Sequence, residues 1–231
     1  MVESKTDYQH SEILTDIQER LLSQLFDIGA IKFGDFKLKL HDTYPEAPLS
    51  PLYIDLRTLR RFPEAKNAAV HIYQELVKPL KFDLLVDIPT AATPLVSSLA
   101  DILQIGMITP RTDQKGHGSG AKIDGFLKTD KGKTALLIDD LVTKADSKLE
   151  AANILLKKGL IVTDVVVLID REQGGKEELA EKGLTLHSAI TLTEMFDYYT
   201  RVGKIGMKER TEIYQKLQNL NSFLATLKNQ Q

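Results

Sequence analysis

The 231-residue chain carries 30 Lys and Arg against 32 Asp and Glu, a formal net charge of -2, and 42% hydrophobic residues. That composition can bury a sizeable core, which excludes wholesale disorder, and the near-neutral balance lacks the electrostatic footprint of a nucleic-acid binder. With no cysteine in the chain, disulfides, thiol nucleophiles and thiolate metal sites are excluded, as suits a reducing compartment.

Met1 to Ser11 is polar and mixed in charge, without the apolar stretch of a secretory signal. The longest apolar run, Val165 to Ile169, is far short of the ~18 residues that span a bilayer. A cytoplasmic protein without membrane partners is expected.

Ser11 can cap a helix whose apolar positions Ile13, Ile17, Leu21, Leu22, Leu25 and Phe26 recur at three- and four-residue steps, closed by Gly29. Ile31 to Leu40 alternates around Gly34-Asp35 and reads as a short hairpin. His41 to Pro51, with three prolines, reads as irregular, and Tyr53 to Leu56 as a strand. Helices then alternate with apolar strands. Helices are expected from about Glu64 to Leu76, around Pro94 to Leu103, from Ser147 to Lys158 and near Lys176 to Lys182. Strands are expected at Phe82 to Ile88, Met107-Ile108, Ala135 to Ile138, Val162 to Ile169 and Leu184 to Leu192, with a loop from Thr109 to Gly125. This rhythm predicts βαβ units and a parallel sheet covered on both faces. Met207 to Leu227, with Tyr214, Leu217, Leu220 and Leu224 on one stripe, reads as an amphipathic helix. One α/β domain over residues 1–231 is expected, with an N-terminal addition to about residue 60, a core over about 61–195 and a C-terminal helix over about 205–231.

Ligands of open α/β sheets collect at the carboxyl ends of strands. Three such ends are distinctive: Asp87-Ile88-Pro89-Thr90, Asp139-Asp140-Leu141-Val142-Thr143, and Asp170-Arg171-Glu172-Gln173-Gly174-Gly175. Neither GxGxxG after the first strand nor GxxxxGK[ST] occurs, and the five histidines lack a metal-ligand spacing such as HExxH. Adjacent carboxylates at a strand end can grip the neighbouring hydroxyls of a ribose, and the following helix N-terminus can receive a phosphate. Asp139 and Asp140 would equally serve to end a strand and cap the next turn; pattern alone does not separate the two.

The block from Ala135 to Glu150 resembles the phosphoribosyl pyrophosphate (PRPP) motif of type I phosphoribosyltransferases. Other segments narrow the resemblance to the orotate phosphoribosyltransferase family. FGDFKLK (33–39) is similar to that family's FGxFxLKSG, SPLYIDLR (50–57) to its SPxYxDLR, and LIDREQGG (168–175) to its orotate-site strand, in unbroken order from about Phe26 to Leu192. The resemblance implies a type I phosphoribosyltransferase fold, a central parallel sheet flanked by helices with a small N-terminal hood. It implies a homodimer using Mg²⁺ to transfer phosphoribosyl from PRPP to orotate, giving orotidine 5′-phosphate and diphosphate in pyrimidine (UMP) synthesis. It also implies roles for single residues. Lys39 would contact the diphosphate end of PRPP, Tyr53 and Ile54 would border the orotate ring, Asp139 and Asp140 would hold the ribose hydroxyls, and Thr143 with Arg171 would bind orotate. The Arg171 fork suits a carboxylate. Arg111 to Gly118 is similar to the RKxxKxHG loop, which in that family closes over the diphosphate of the neighbouring subunit, with Lys115 and His117 as its working groups.

The PRPP side departs from the family's DDVxTxGxS pattern. Thr143 is followed by Lys144-Ala145-Asp146-Ser147, so alanine stands for the flexible glycine and an acid for a hydroxyl donor to the 5-phosphate. Lys144 and Lys148 would offset that charge if they fold inward. Replacing the pair, Ala145→Gly with Asp146→Thr, is expected to tighten PRPP by about tenfold or more. Thr112 stands for a loop lysine, Thr90-Ala91-Ala92 for a tyrosine-containing PRPP loop, and Leu40-His41 for Ser-Gly, with His41 read as a surface histidine. The alternative to an active transferase is an inactive paralogue that binds orotate or a nucleotide as a regulatory or scaffolding module.

Overall fold

The computed structural model describes residues 14–111 and 123–228. Helix α1 (Asp16–Asp27) opens at Thr15, whose backbone N–H donates to Gln18 Oε1 at 2.7 Å, and buries Leu21, Leu22 and Leu25. Gly29 follows with φ +70°, the left-handed residue that the helix end requires. The cap expected at Ser11 lies outside the described residues.

Strand β1 (Ile31–Phe36) does not fold back at Gly34-Asp35. It pairs antiparallel with β2 (Ser50–Ile54), and Gly34-Asp35 occupies a break in register between Phe33 and Phe36. The reversal is made by the proline-rich segment, which opens with a 3-10 turn over Lys39–Asp42. His41 is the pin of that segment and not a surface histidine. The residue is 9% exposed, its Nδ1 lies 2.9 Å from the Leu38 N and 3.0 Å from the Leu38 carbonyl, and its Nε2 lies 3.1 Å from the Ala47 carbonyl.

The main sheet has the order β5-β4-β3-β6-β7-β8, with β3 (Leu84–Asp87), β4 (Met107–Pro110), β6 (Ala135–Val142), β7 (Asp164–Asp170) and β8 (Thr185–Thr191) parallel. The short β5 (Ile123–Asp124) runs antiparallel at the edge. Alternation divides the strands between two cores. Ala135, Leu137, Val165 and Val167 meet α4 (Asp146–Leu156) and α5 (Gly175–Glu181) on one face. Leu136, Ile138, Val166 and Leu168 meet α2 (Pro63–Val77), α3 (Thr93–Leu103), α6 (Leu192–Arg201) and α7 (Met207–Lys228) on the other. Each such Leu or Val contributes ~1.5–3 kcal/mol by leaving water, which is why strands buried on both faces read as continuous apolar runs.

Helix α6 is not among the expected elements, although Leu192, Met195, Phe196 and Tyr199 recur at three- and four-residue steps. Its signal is the Thr191-x-x-Glu194 capping box, in which Glu194 Oε2 accepts from the Thr191 N–H at 2.6 Å. Its Phe196 and Tyr199 pack on Phe33 of the N-terminal hairpin, with ring centroids 5.9 and 6.1 Å apart. Strand β3 has β4 on one side and β6 on the other, so the strand order reverses there. The crevice outside the carboxyl ends of β3 and β6 is where such a sheet takes a ligand.

Candidate active site

Strand β6 runs through both acids to Val142 rather than stopping at Ile138. Asp139 is paired with Val167, on the face that α4 covers, and period-2 alternation sends Asp140 to the opposite face. The Asp139 carboxylate is buried and fully engaged. Its Oδ2 lies 2.5 Å from Lys148 Nζ, its Oδ1 accepts from the Asp140 N–H at 2.9 Å, and its backbone carbonyl accepts from the Tyr73 hydroxyl at 2.6 Å. Asp140 accepts from the Leu141 N–H at 2.8 Å. Burial, followed by the negative charge of Asp139, pushes the Asp140 carboxyl up to about 7.

The loop after β6 does not have the geometry its residue types imply. Ala145 is fully buried with φ -85°, an ordinary value for any L-residue, so no glycine is required there. Its N–H donates to Glu178 Oε2 of α5 at 2.9 Å, and Lys144 Nζ lies 3.7 Å from the same carboxylate. Asp146 and Ser147 are exposed in the first turn of α4, where an acid is favoured by the helix dipole. Lys148 does fold inward, but onto Asp139.

At the end of β7, the Arg171 N–H donates to the Val142 carbonyl at 3.0 Å. Arg171 is half-buried, and its Nε is buried without a hydrogen-bond partner. Burial alone lowers it to about 10, so it stays charged at neutral pH. The glycines beside it have steric reasons. A Cβ on Gly175 would stand 2.5 Å from Val142 Cγ2, and Gly174 has φ +94°. Glu172 Oε2 accepts from the Thr193 N–H and hydroxyl at 2.7 Å, and Gln173 Nε2 donates to Asn221 Oδ1 of α7 at 2.6 Å. A cavity of about 180 Å³ opens among Arg171, Gln173, Thr193, Tyr214 and Asn221.

The remaining expected residues are spread around this crevice. Tyr53 is half-buried, 5.7 Å ring to ring from Phe36, and its hydroxyl accepts from Arg57 Nη2 at 3.1 Å. Ile54 belongs to the core, so its side chain turns away from the face that Tyr53 presents. Thr143 follows β6 directly and is half-buried. Lys39 opens the 3-10 turn. Arg111 is exposed and lies 3.4 Å from Asp124. Thr112, Lys115 and His117 fall outside the described residues. In the loop after β3, the Thr90 carbonyl accepts from Arg60 Nη2 at 2.8 Å, and Asp87 is buried, accepting from the hydroxyls of Thr93 and Thr109. Tyr73 and Glu178 escape the sequence because their partners lie on other elements.

A doubly covered parallel sheet, two acids at the switch-point strand and a helix opening just after them are the marks of a type I phosphoribosyltransferase. No family model matches the chain. It is 33% identical over 199 residues to the orotate phosphoribosyltransferase of Caenorhabditis elegans, covering 85% of this chain and 82% of that protein. It is 34% identical over 207 residues to the uridine 5′-monophosphate synthase of Bos taurus, covering 89% of this chain and 41% of that protein, so it spans about two fifths of that relative's length. The solved orotate phosphoribosyltransferase of Aeropyrum pernix superposes with a TM-score of 0.68 at 27% identity, over 80% of this chain and 99% of that one. The chain belongs to the orotate phosphoribosyltransferase family.

Proposed function

We propose that the protein transfers the phosphoribosyl group of PRPP to N1 of orotate, giving orotidine 5′-phosphate and diphosphate, as a cytoplasmic homodimeric enzyme of pyrimidine synthesis. The observation that carries this reading is Arg171 at the end of β7, whose Nε is buried without a hydrogen-bond partner. A buried donor without an acceptor is costly, and a planar carboxylate on a flat base is the ligand that would relieve it through two parallel hydrogen bonds. Thr143, beside it at the end of β6, and Tyr53 of the hairpin would border the base.

Asp140 would accept from the ribose hydroxyls, and Ser147 with the N-terminus of α4 would receive the 5-phosphate. The C1′–O bond to diphosphate breaks, the C1′–N1 bond forms, and the proton on orotate N1 leaves to the departing diphosphate or to solvent. Groups that favour positive charge at C1′ and negative charge on the leaving oxygens lower the barrier. Mg²⁺ would be carried on PRPP itself rather than by protein side chains. Bound there, Mg²⁺ would neutralise the departing diphosphate. Lys39, Arg111, Lys115 and His117 would serve the same end, the last two from the partner's loop. The reading as an inactive paralogue gains no support, since the relatives are named as enzymes and the Ala145 backbone is unstrained.

The test is calorimetric titration of orotate, orotidine 5′-phosphate and PRPP with Mg²⁺, followed by release of diphosphate on mixing PRPP with orotate. Binding of each, with orotidine 5′-phosphate as product, is the expected result. Binding of PRPP with transfer to a different base would relocate the protein within the phosphoribosyltransferases.

A further inference from the structure

We propose that the two acids ending β6 divide their work: Asp140 is the acceptor for the ribose hydroxyls, while Asp139 is a positioning residue locked by Lys148 and Tyr73 and closed to the ligand. This rests on the phosphoribosyltransferase reading of the site. The lock is complete on both sides. The Asp139 and Lys148 side chains are 8% and 5% exposed. Lys148 Nζ has an acceptor for each of its three protons, namely Asp139 Oδ2 at 2.5 Å, the Leu141 carbonyl at 2.6 Å and Ser147 Oγ at 3.4 Å. It has no donor left for a phosphate. Both Asp139 carboxylate oxygens are taken, and Tyr73 of α2 holds the backbone carbonyl from the opposite face.

Asp140 differs. The Leu141 N–H alone holds its Oδ1, and it is less buried than Asp139. Once ionised it is repelled by Asp139 and has an oxygen to offer to hydroxyl donors. The charged and titratable groups facing the pair among the described residues are Tyr73 from α2 and Lys148 from α4. Tyr73 stays neutral because burial raises it further, so Lys148 alone compensates the two acids. Lys148 thereby lowers the pH at which Asp140 becomes an acceptor, against the larger upward push of burial and of Asp139.

The test measures PRPP affinity against pH in Asp139→Asn, Lys148→Met, the double variant and Asp140→Asn. Each change at Asp139 or Lys148 alone strands a buried charge and should weaken PRPP about tenfold or more, whereas the double variant should regain most of that loss. In Lys148→Met the acid limb of the affinity profile moves to higher pH, and in the double variant it moves back. A loss of structure alone would not produce that reversal. A double variant as weak as Asp139→Asn would mean that Asp139 meets the ribose itself, and the division would be wrong. Since a stranded charge can unfold the single variants, reductive methylation of the parent protein with peptide mapping provides a second readout. Lys148 should resist modification with and without PRPP; protection appearing only with PRPP would place it at the ligand and overturn the proposal. A parent protein that binds no PRPP would instead remove the phosphoribosyltransferase reading itself.

Discussion

At the end of β7 a half-buried guanidinium keeps its Nε buried with no partner, while on the neighbouring strand a buried carboxylate, with a second half-buried beside it, holds an ammonium drawn in from α4. Both arrangements remove charge from water, and desolvating an ion costs several kcal/mol wherever it happens. The β6 pair recovers that cost within the protein. The β7 guanidinium does not, so the recovery is left to a ligand. An unpaired buried charge is thus a stronger mark of a binding site than a paired one. The acids that look most catalytic in the sequence are partly structural.

The largest test of this contrast is Arg171→Met. Orotate affinity should fall about a hundredfold, within the ~2–5 kcal/mol lost when one partner of a buried charge pair is truncated. Thermal stability should hold or rise, because an uncompensated cation leaves the interior. A Tm that drops along with affinity would make Arg171 a structural support and erase the contrast.

Asp140 sharpens it through pH. Its carboxyl is raised from 3.8 to about 7, so PRPP affinity should decline below about pH 7 as the acceptor takes up a proton. The sign for stability is opposite. A group held above its unfolded value stabilises the fold fully below about 3.8 and loses that contribution as pH rises through about 7. Asp140→Asn should therefore abolish the acid limb for PRPP and gain stability relative to the parent as pH rises across that window, read by thermal unfolding at several pH values.

Tyr73→Phe removes the hydroxyl that holds the Asp139 carbonyl and should cost ~1–2 kcal/mol of stability, since the carbonyl stays buried without its donor. Orotate affinity should not change, because Arg171 lies on the next strand. The smallest effect belongs to Asp146→Asn. Removing an exposed charge beside the phosphate site should tighten PRPP a few-fold at low salt, fading at high salt, at a cost of ~0.3–1 kcal/mol in helix stability. Adding Ala145→Gly should contribute nothing further to affinity, because φ -85° suits alanine. The tenfold gain expected from residue types alone shrinks accordingly.

Sequence by itself determined what depends on near neighbours. Strand-length apolar segments became β3, β6, β7 and β8, three-and-four periodicity became α1, α2, α4 and α7, and Gly29 closed α1. The segments carrying FGDFKLK, SPLYIDLR and LIDREQGG could be recognised because their order along the chain is itself the evidence. Tertiary structure decided what depends on residues far apart. It made Gly34-Asp35 a register break by supplying β2 as partner, and it turned His41 inward onto the carbonyl of Ala47. It also sent Lys148 to Asp139 instead of a phosphate, and left Arg171 without an acid. A charged residue reads the same in a sequence whether its counter-ion is water, a ligand or a side chain across a helix. Only the packing of α4 and α5 on β6 and β7 determines which of these is within reach.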